Sequence, residues 1–432
     1  MMQIPNPKSR RQRSIPCPGL LGKQARRILS ALLALLLVSG SGLPAAAITC
    51  NQATLEPSMP APLAYSFQPR APVRPFYQWL NNNGYCGEVS LLEAGLANGQ
   101  WISQANSRSI ASPFTSYTQT GRKTGIKFYS QMLLDDYAKP TTTTAVSYGK
   151  AALYMKLAAT SYPSSVQTTG QAGFANFMRW IKAKIVAGDQ VTLGVINAFD
   201  TSPPYSHIVN VIRVESNYPA SDTAYHADDV LYIDDHGLMT LGDHNPAIPP
   251  GTTSTSDCAP FVFGYSFAKW ATSVGSRKIY GIPLPTSRSR NYAYAVSGVL
   301  DSQGNTLPVQ LSITNNDNPM NPIAGYNYEA PMIGTSIVGN SFTNTLPTAI
   351  RLTLSATVSG LVTGNAYNLY LYKFTARPLL GAFAVPTSNF NANAGLATQT
   401  LSFVATGPTY TSVVEALSSD TIAFRAVPAT AP

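Results

Sequence analysis

From Ala293 to the end of the chain no stretch keeps a helical hydrophobic period, which commits the last third of the sequence to sheet. Apolar, β-branched and Tyr-rich runs recur at 293–300, 308–313, 348–357, 366–374, 398–404 and 421–427. Polar turns separate them: Asp301-Ser302-Gln303-Gly304-Asn305, Asn315-Asn316-Asp317-Asn318-Pro319 and Thr363-Gly364-Asn365. Short strands with such turns predict a β-sandwich of about 140 residues, from 286 to 432. A length of 432 residues leaves room for a second domain.

Residues 76–285 mix both periods. Val89, Leu92 and Leu96 predict a helix over 86–98 that stops at Asn98-Gly99. Phe174, Phe177, Met178, Ile181 and Ile185 predict an amphipathic helix over 173–187, closed by Gly188. Strands are expected at 191–196, 207–214, 230–235 and 278–283. Helices first and strands later make this an α+β domain.

The first forty-seven residues read as an address. Seven basic residues, Lys8, Arg10, Arg11, Arg13, Lys23, Arg26 and Arg27, precede the apolar run 28–38, and Ala45-Ala46-Ala47 follows it. That is the pattern of a cleaved secretory signal, residues 1–47, so the expected destination is secreted, periplasmic or extracellular. The Pro-rich stretch 48–75 would be an extended amino-terminal arm. The net charge of +9 falls to +2 once the signal is set aside, so no basic patch calls for nucleic acid. No membrane span is expected after signal cleavage, because no later segment reaches the ~18 apolar residues one requires. Charged residues at 11%, with 33 Pro and 23 Tyr, fit an exported β-rich protein better than a cytosolic enzyme.

Four cysteines are present, at 17, 50, 86 and 258, and the first leaves with the signal. Three remaining cysteines allow one bridge and leave one thiol. Cys86 would open a helix after the loop Asn81-Asn82-Asn83-Gly84, where the helix dipole favours a thiolate. A thiolate nucleophile needs a base and an acceptor that orients the base. His207 opens a strand after the turn 201–206, and a later strand ends in Asp234-Asp235-His236-Gly237. Gln78, eight residues before Cys86, could donate to an oxyanion together with the Cys86 backbone N–H. Glu88 reads as a favourable charge in the helix first turn. The acidic, His-bearing set Asp228, Asp229, Asp234, Asp235, His236, Asp243 and His244 lacks metal-site spacing and reads as solvated turns. Neither a metal nor a cofactor is expected.

At Gln78, Cys86-Gly87-Glu88-Val89-Ser90, Ser206-His207-Ile208-Val209 and Tyr232-Ile233-Asp234-Asp235 the chain resembles a papain-like cysteine peptidase. The resemblance is to the branch of bacteriocin-exporter peptidase domains and their secreted stand-alone relatives. It covers residues 76–285. It implies a papain-like α+β domain and hydrolysis of peptide or isopeptide bonds in a peptide or protein substrate. Cys86 would be the nucleophile, His207 the base, Asp234 or Asp235 its orienting partner, and Gln78 an oxyanion donor. With Cys86 so assigned, the resemblance also implies a Cys50–Cys258 disulfide. The turn 360–367 with Leu369-Tyr370-Leu371-Tyr372 resembles fibronectin type III-like modules, and such a C-terminal domain would hold the enzyme near a cell surface or a polymer. The rival readings are an exported binding protein on a degenerate peptidase scaffold, and an acyl-transferring transpeptidase or transglutaminase type.

Overall fold

A computed structural model describes residues 62–72, 86–104, 106–107, 148–163, 168–197, 205–234, 236, 262–272, 280–287, 290–313, 351–374 and 385–430. The first half of the chain contributes β1 (Tyr65–Phe67), α1 (Cys86–Ala97), β2 (Gln100–Ile102), α2 (Tyr148–Tyr154), β3 (Leu157–Ser161), α3 (Gly170–Val186), β4 (Gln190–Asn197) and β5 (Tyr205–Ser216). Next come β6 (Val230–Asp234), β7 (Val262–Ser266), α4 (Phe267–Trp270), β8 (Ala271–Thr272), β9 (Tyr280–Pro283) and β10 (Ala293–Val299). The last strands are β11 (Val309–Ile313), β12 (Arg351–Ser359), β13 (Ala366–Phe374), β14 (Gln399–Val404), β15 (Thr409–Leu417) and β16 (Thr421–Pro428). The fold is α+β and rich in sheet.

A nine-stranded sheet runs β3-β10-β4-β5-β6-β7, with β1 on β5 and the pair β8–β9 attached through β4. Strand alternation gives it two covered faces. Val191, Leu193, Val195, Val209, Val211 and Ile233 meet the apolar stripe of α3, namely Phe174, Phe177, Met178, Ile181 and Ile185. Gly188 ends α3 at φ +84°, a conformation that an L side chain rarely adopts. On the opposite face Ile208, Tyr294 and Val296 meet Leu91 and Ala94 of α1 and Tyr148, Ala151 and Ala152 of α2.

A three-stranded sheet, β11-β12-β15, faces a four-stranded sheet, β14-β13-β16-β2. Leu311, Leu354, Ala356 and Val358 pack against Leu369, Leu371, Ile422 and Phe424 between them. That is a β-sandwich core.

The expected boundary at 285/286 is crossed in both directions. Strand β10, expected in the sandwich, lies in the nine-stranded sheet between β3 and β4. The reason is its pattern: Ala293 and Ala295 are small enough to face α3 while Tyr294 and Val296 fill the other side. Conversely, β2 from the first half pairs with β16. Val89, Leu92 and Leu96 of α1, with Trp101, complete the sandwich core. Helix α1 is thus buried all round, and its burial between two cores keeps it helical despite two glycines. Among the described residues no helix is long and apolar enough to cross a membrane.

Candidate active site

Cys86 is the first residue of α1, a half-buried thiol packed against the buried cluster that includes Ile208 and Tyr294. Every residue from Gly87 to Leu96 is buried, so the thiol sits at the accessible end of an immobile helix. The Ser90 hydroxyl donates back to the Cys86 carbonyl at 2.8 Å, tying the first turn together.

His207 lies near the start of β5, opposite Val195, and is buried. Its ring stacks on Tyr280 with centroids 5.7 Å apart and meets the His236 ring edge-on at 5.8 Å. Alternation along β5 sets Ile208 and Asn210 toward α1, while His207 shares the face of Val209 and Val211. His236, at the end of β6, links His207 to the Cys86 turn among the described residues.

His236 has φ +58° and is 0% exposed. Its Nε2 is 2.9 Å from Ser90 Oγ. Its Nδ1 is 3.2 Å from Asp234 Oδ2 and 3.4 Å from Glu93 Oε1, and its backbone N–H donates to Asp234 Oδ1 at 3.0 Å. Asp234, one of the two carboxylates expected beside His207, thus serves His236. The antiparallel register explains why. Asp234 pairs with Asn210, so its side chain shares the Asn210 face and not the His207 face. Asp235, Gln78, Cys50 and Cys258 lie outside the described residues.

The network continues into the core. Asn210 Nδ2 donates to Glu93 Oε2 at 2.6 Å and to the Ser90 carbonyl at 3.1 Å. The Thr192 hydroxyl donates to Asn210 Oδ1, and Tyr148 Oη is 3.1 Å from Thr192 Oγ1. Burial, with Asp234 alongside, pushes the Glu93 carboxyl up to about 8 against the opposing pull of His236. Burial disfavours a charged His236, but the facing carboxylates of Asp234 and Glu93 outweigh it and raise the imidazole to about 10. Glu93 and His236 thus both hold their protons to higher pH than they would in water.

Ser90, His236 and Asp234 follow the order of a nucleophile–base–carboxylate triad. They are not placed to act as one, since all three are 0% exposed and the Ser90 proton is given to the Cys86 carbonyl. One ligand atom from each of Glu93, Asp234 and His236 lies within 4.8 Å of the others, a cation-like spacing. The proton on His236 Nδ1 accounts for the same convergence.

Sequence reasoning missed Ser90, Glu93 and Asn210. One signal was present: Ser90 and Glu93 stand three apart, on one face of a helix with no outward polar face to spend them on. A cavity of about 450 Å³ lies elsewhere, lined by residues including Arg70, Asn98, Gln190, Asp301 and Arg425, and contains none of these groups. Comparison with protein-family models, curated proteins and solved structures finds no match.

Proposed function

We propose that the chain is an exported cysteine-type hydrolase of papain-like design, acting on peptide or isopeptide bonds. The observation that carries this reading is the Cys86 thiol at the first position of a buried helix whose first turn bonds the His236 ring through Ser90. The helix dipole favours the thiolate.

The Cys86 thiolate adds to the scissile carbonyl, and the oxyanion accepts from the Cys86 backbone N–H and the Gln78 amide. The tetrahedral adduct collapses as protonated His207 gives its proton to the leaving amine, which leaves a thioester on Cys86. Neutral His207 then takes a proton from water as the hydroxide attacks the thioester. Collapse releases the acid and restores the thiolate and the imidazolium. With Asp234 engaged by His236, the role of orienting His207 passes to Asp235.

The placement of His207 on the face of β5 away from α1 favours the second reading, a binding protein on a degenerate peptidase scaffold. A peptide library incubated with wild type and with Cys86→Ala separates the two. Cleavage made by wild type alone supports the hydrolase, and identical profiles support the binder. Adding a primary amine separates acyl transfer from hydrolysis, because transfer yields the amide in place of the acid.

A further inference from the structure

We propose that His236 is a positioning residue for Cys86, holding Ser90 through Nε2 so that the Ser90 hydroxyl fixes the Cys86 carbonyl in the turn that carries the thiol. The inference rests on Cys86 being the nucleophile and names the group that prepares it.

Three independent features meet at His236. Its Nε2–Ser90–Cys86 carbonyl link spans 2.9 and 2.8 Å and runs along one turn of α1. Its backbone is held at φ +58°, a conformation uncommon outside glycine, and buried contacts on every side maintain it. Its ring also touches His207 at 5.8 Å, so the residue that steadies the thiol turn also packs against the proposed base.

Among the described residues, the groups facing the imidazole are Asp234 from β6, Glu93 and Ser90 from α1, and the His207 ring from β5. Asn210 holds Glu93 in turn. The carboxyl groups of Asp234 and Glu93 take the Nδ1 side, and Ser90 is left to accept at Nε2 and donate to Cys86. Ser90 Oγ must accept there, because its own proton is committed to the carbonyl. The Nε2 proton is therefore present, and with Nδ1 facing two carboxyl groups the ring carries both protons.

The test is the pH dependence of Cys86 alkylation by iodoacetamide, followed by mass spectrometry in wild type, His236→Gln, Ser90→Ala and Ser90→Thr. Gln can still donate to Ser90 but carries no charge. The expected result is a labelling midpoint about one pH unit higher in His236→Gln, hence labelling about tenfold slower near pH 6.5. The curves should meet above pH 10, where wild-type His236 has lost its proton. Ser90→Ala should slow labelling, and Ser90→Thr, which keeps the hydroxyl, should restore it. A purely structural role would lower the amount of folded protein without moving the midpoint. If His236→Gln does not fold, the Ser90 pair decides: equal rates in Ala and Thr overturn the proposal. A reactive wild-type thiol with an unmoved midpoint in folded His236→Gln overturns the positioning role alone. A wild-type thiol inert to pH 9 overturns the nucleophile reading as well.

Discussion

Asp234 and His236 are two residues apart, yet both carboxylate oxygens of the first are engaged by the second: Oδ1 by the backbone N–H at 3.0 Å and Oδ2 by Nδ1 at 3.2 Å. The pair closes the end of β6 on itself and turns the imidazole toward α1. It is the hinge between the sheet and the helix that carries Cys86.

Removing either member should be costly, to different degrees. In Asp234→Asn, Glu93 can ionise and take over as counter-ion, so the loss should lie near the lower end, about 3 kcal/mol, of what breaking a buried pair costs. His236→Ala leaves two buried carboxyl groups without their cation and should reach about 5 kcal/mol. Urea denaturation of the two variants checks the order, and equal losses would contradict it.

Stability should fall with rising pH because of this cluster. Glu93 is raised from 4.5 to about 8 and His236 from 6.5 to about 10, so the folded state holds both protons more tightly than the unfolded state does. Their contribution is fully present below the unfolded values. It is lost between about pH 4.5 and 8 for Glu93, and between about 6.5 and 10 for His236. Thermal midpoints across pH 6 to 10 should decline more steeply in wild type than in His236→Gln.

A second buried pair offers an independent check on the sheet. Lys182 of α3 reaches Asp229 at 2.7 Å and Ser216 at 3.1 Å, with side chains 2% and 0% exposed for the pair. Lys182→Ala should cost about 3–5 kcal/mol by stranding Asp229, and Lys182→Met combined with Asp229→Leu should recover much of it. Denaturant midpoints of the single and double variants measure this.

A fragment spanning 300–432 should not fold cooperatively alone. It would lack β2, which pairs with β16, and Val89, Leu92, Leu96 and Trp101, which fill the sandwich. Trp101 alone is fully buried, with its indole N–H on the Ser418 carbonyl at 3.3 Å, and Trp101→Ala in the whole chain should cost about 3–5 kcal/mol. Circular dichroism melts of fragment and variant read both outcomes.

Strong local patterns were legible in the sequence, and exchanges between distant segments were not. The spacing of Phe174, Phe177, Met178, Ile181 and Ile185 located α3, and the stop at Asn98-Gly99 located the end of α1. Gly99, at φ +69°, lies so close to Val309 that a Cβ there would approach to 2.9 Å, a contact invisible to local pattern. Strand β15 escaped notice because Val413 and Leu417 face outward while polar Ser412 takes an inward position, so its burial alternates but its hydrophobicity does not. That β10 joins the first sheet depends on Ala293 and Ala295 fitting opposite Leu193 and Val191 under α3, a tertiary matter. For the site, residue types pointed to Cys86 and His207. Which carboxylate serves which imidazole depends on register, and Asp234 went to His236 because it pairs with Asn210.

The proposed hydrolysis requires covalent chemistry at Cys86 assisted by His207. The decisive measurement is labelling by a peptidyl acyloxymethyl ketone, read as intact mass with the modified residue mapped, in wild type and in His207→Ala. The expected result is a single adduct on Cys86, formed at least about a hundredfold more slowly in the variant. An unlabelled wild type, or a His207→Ala protein labelled at the wild-type rate, would contradict it.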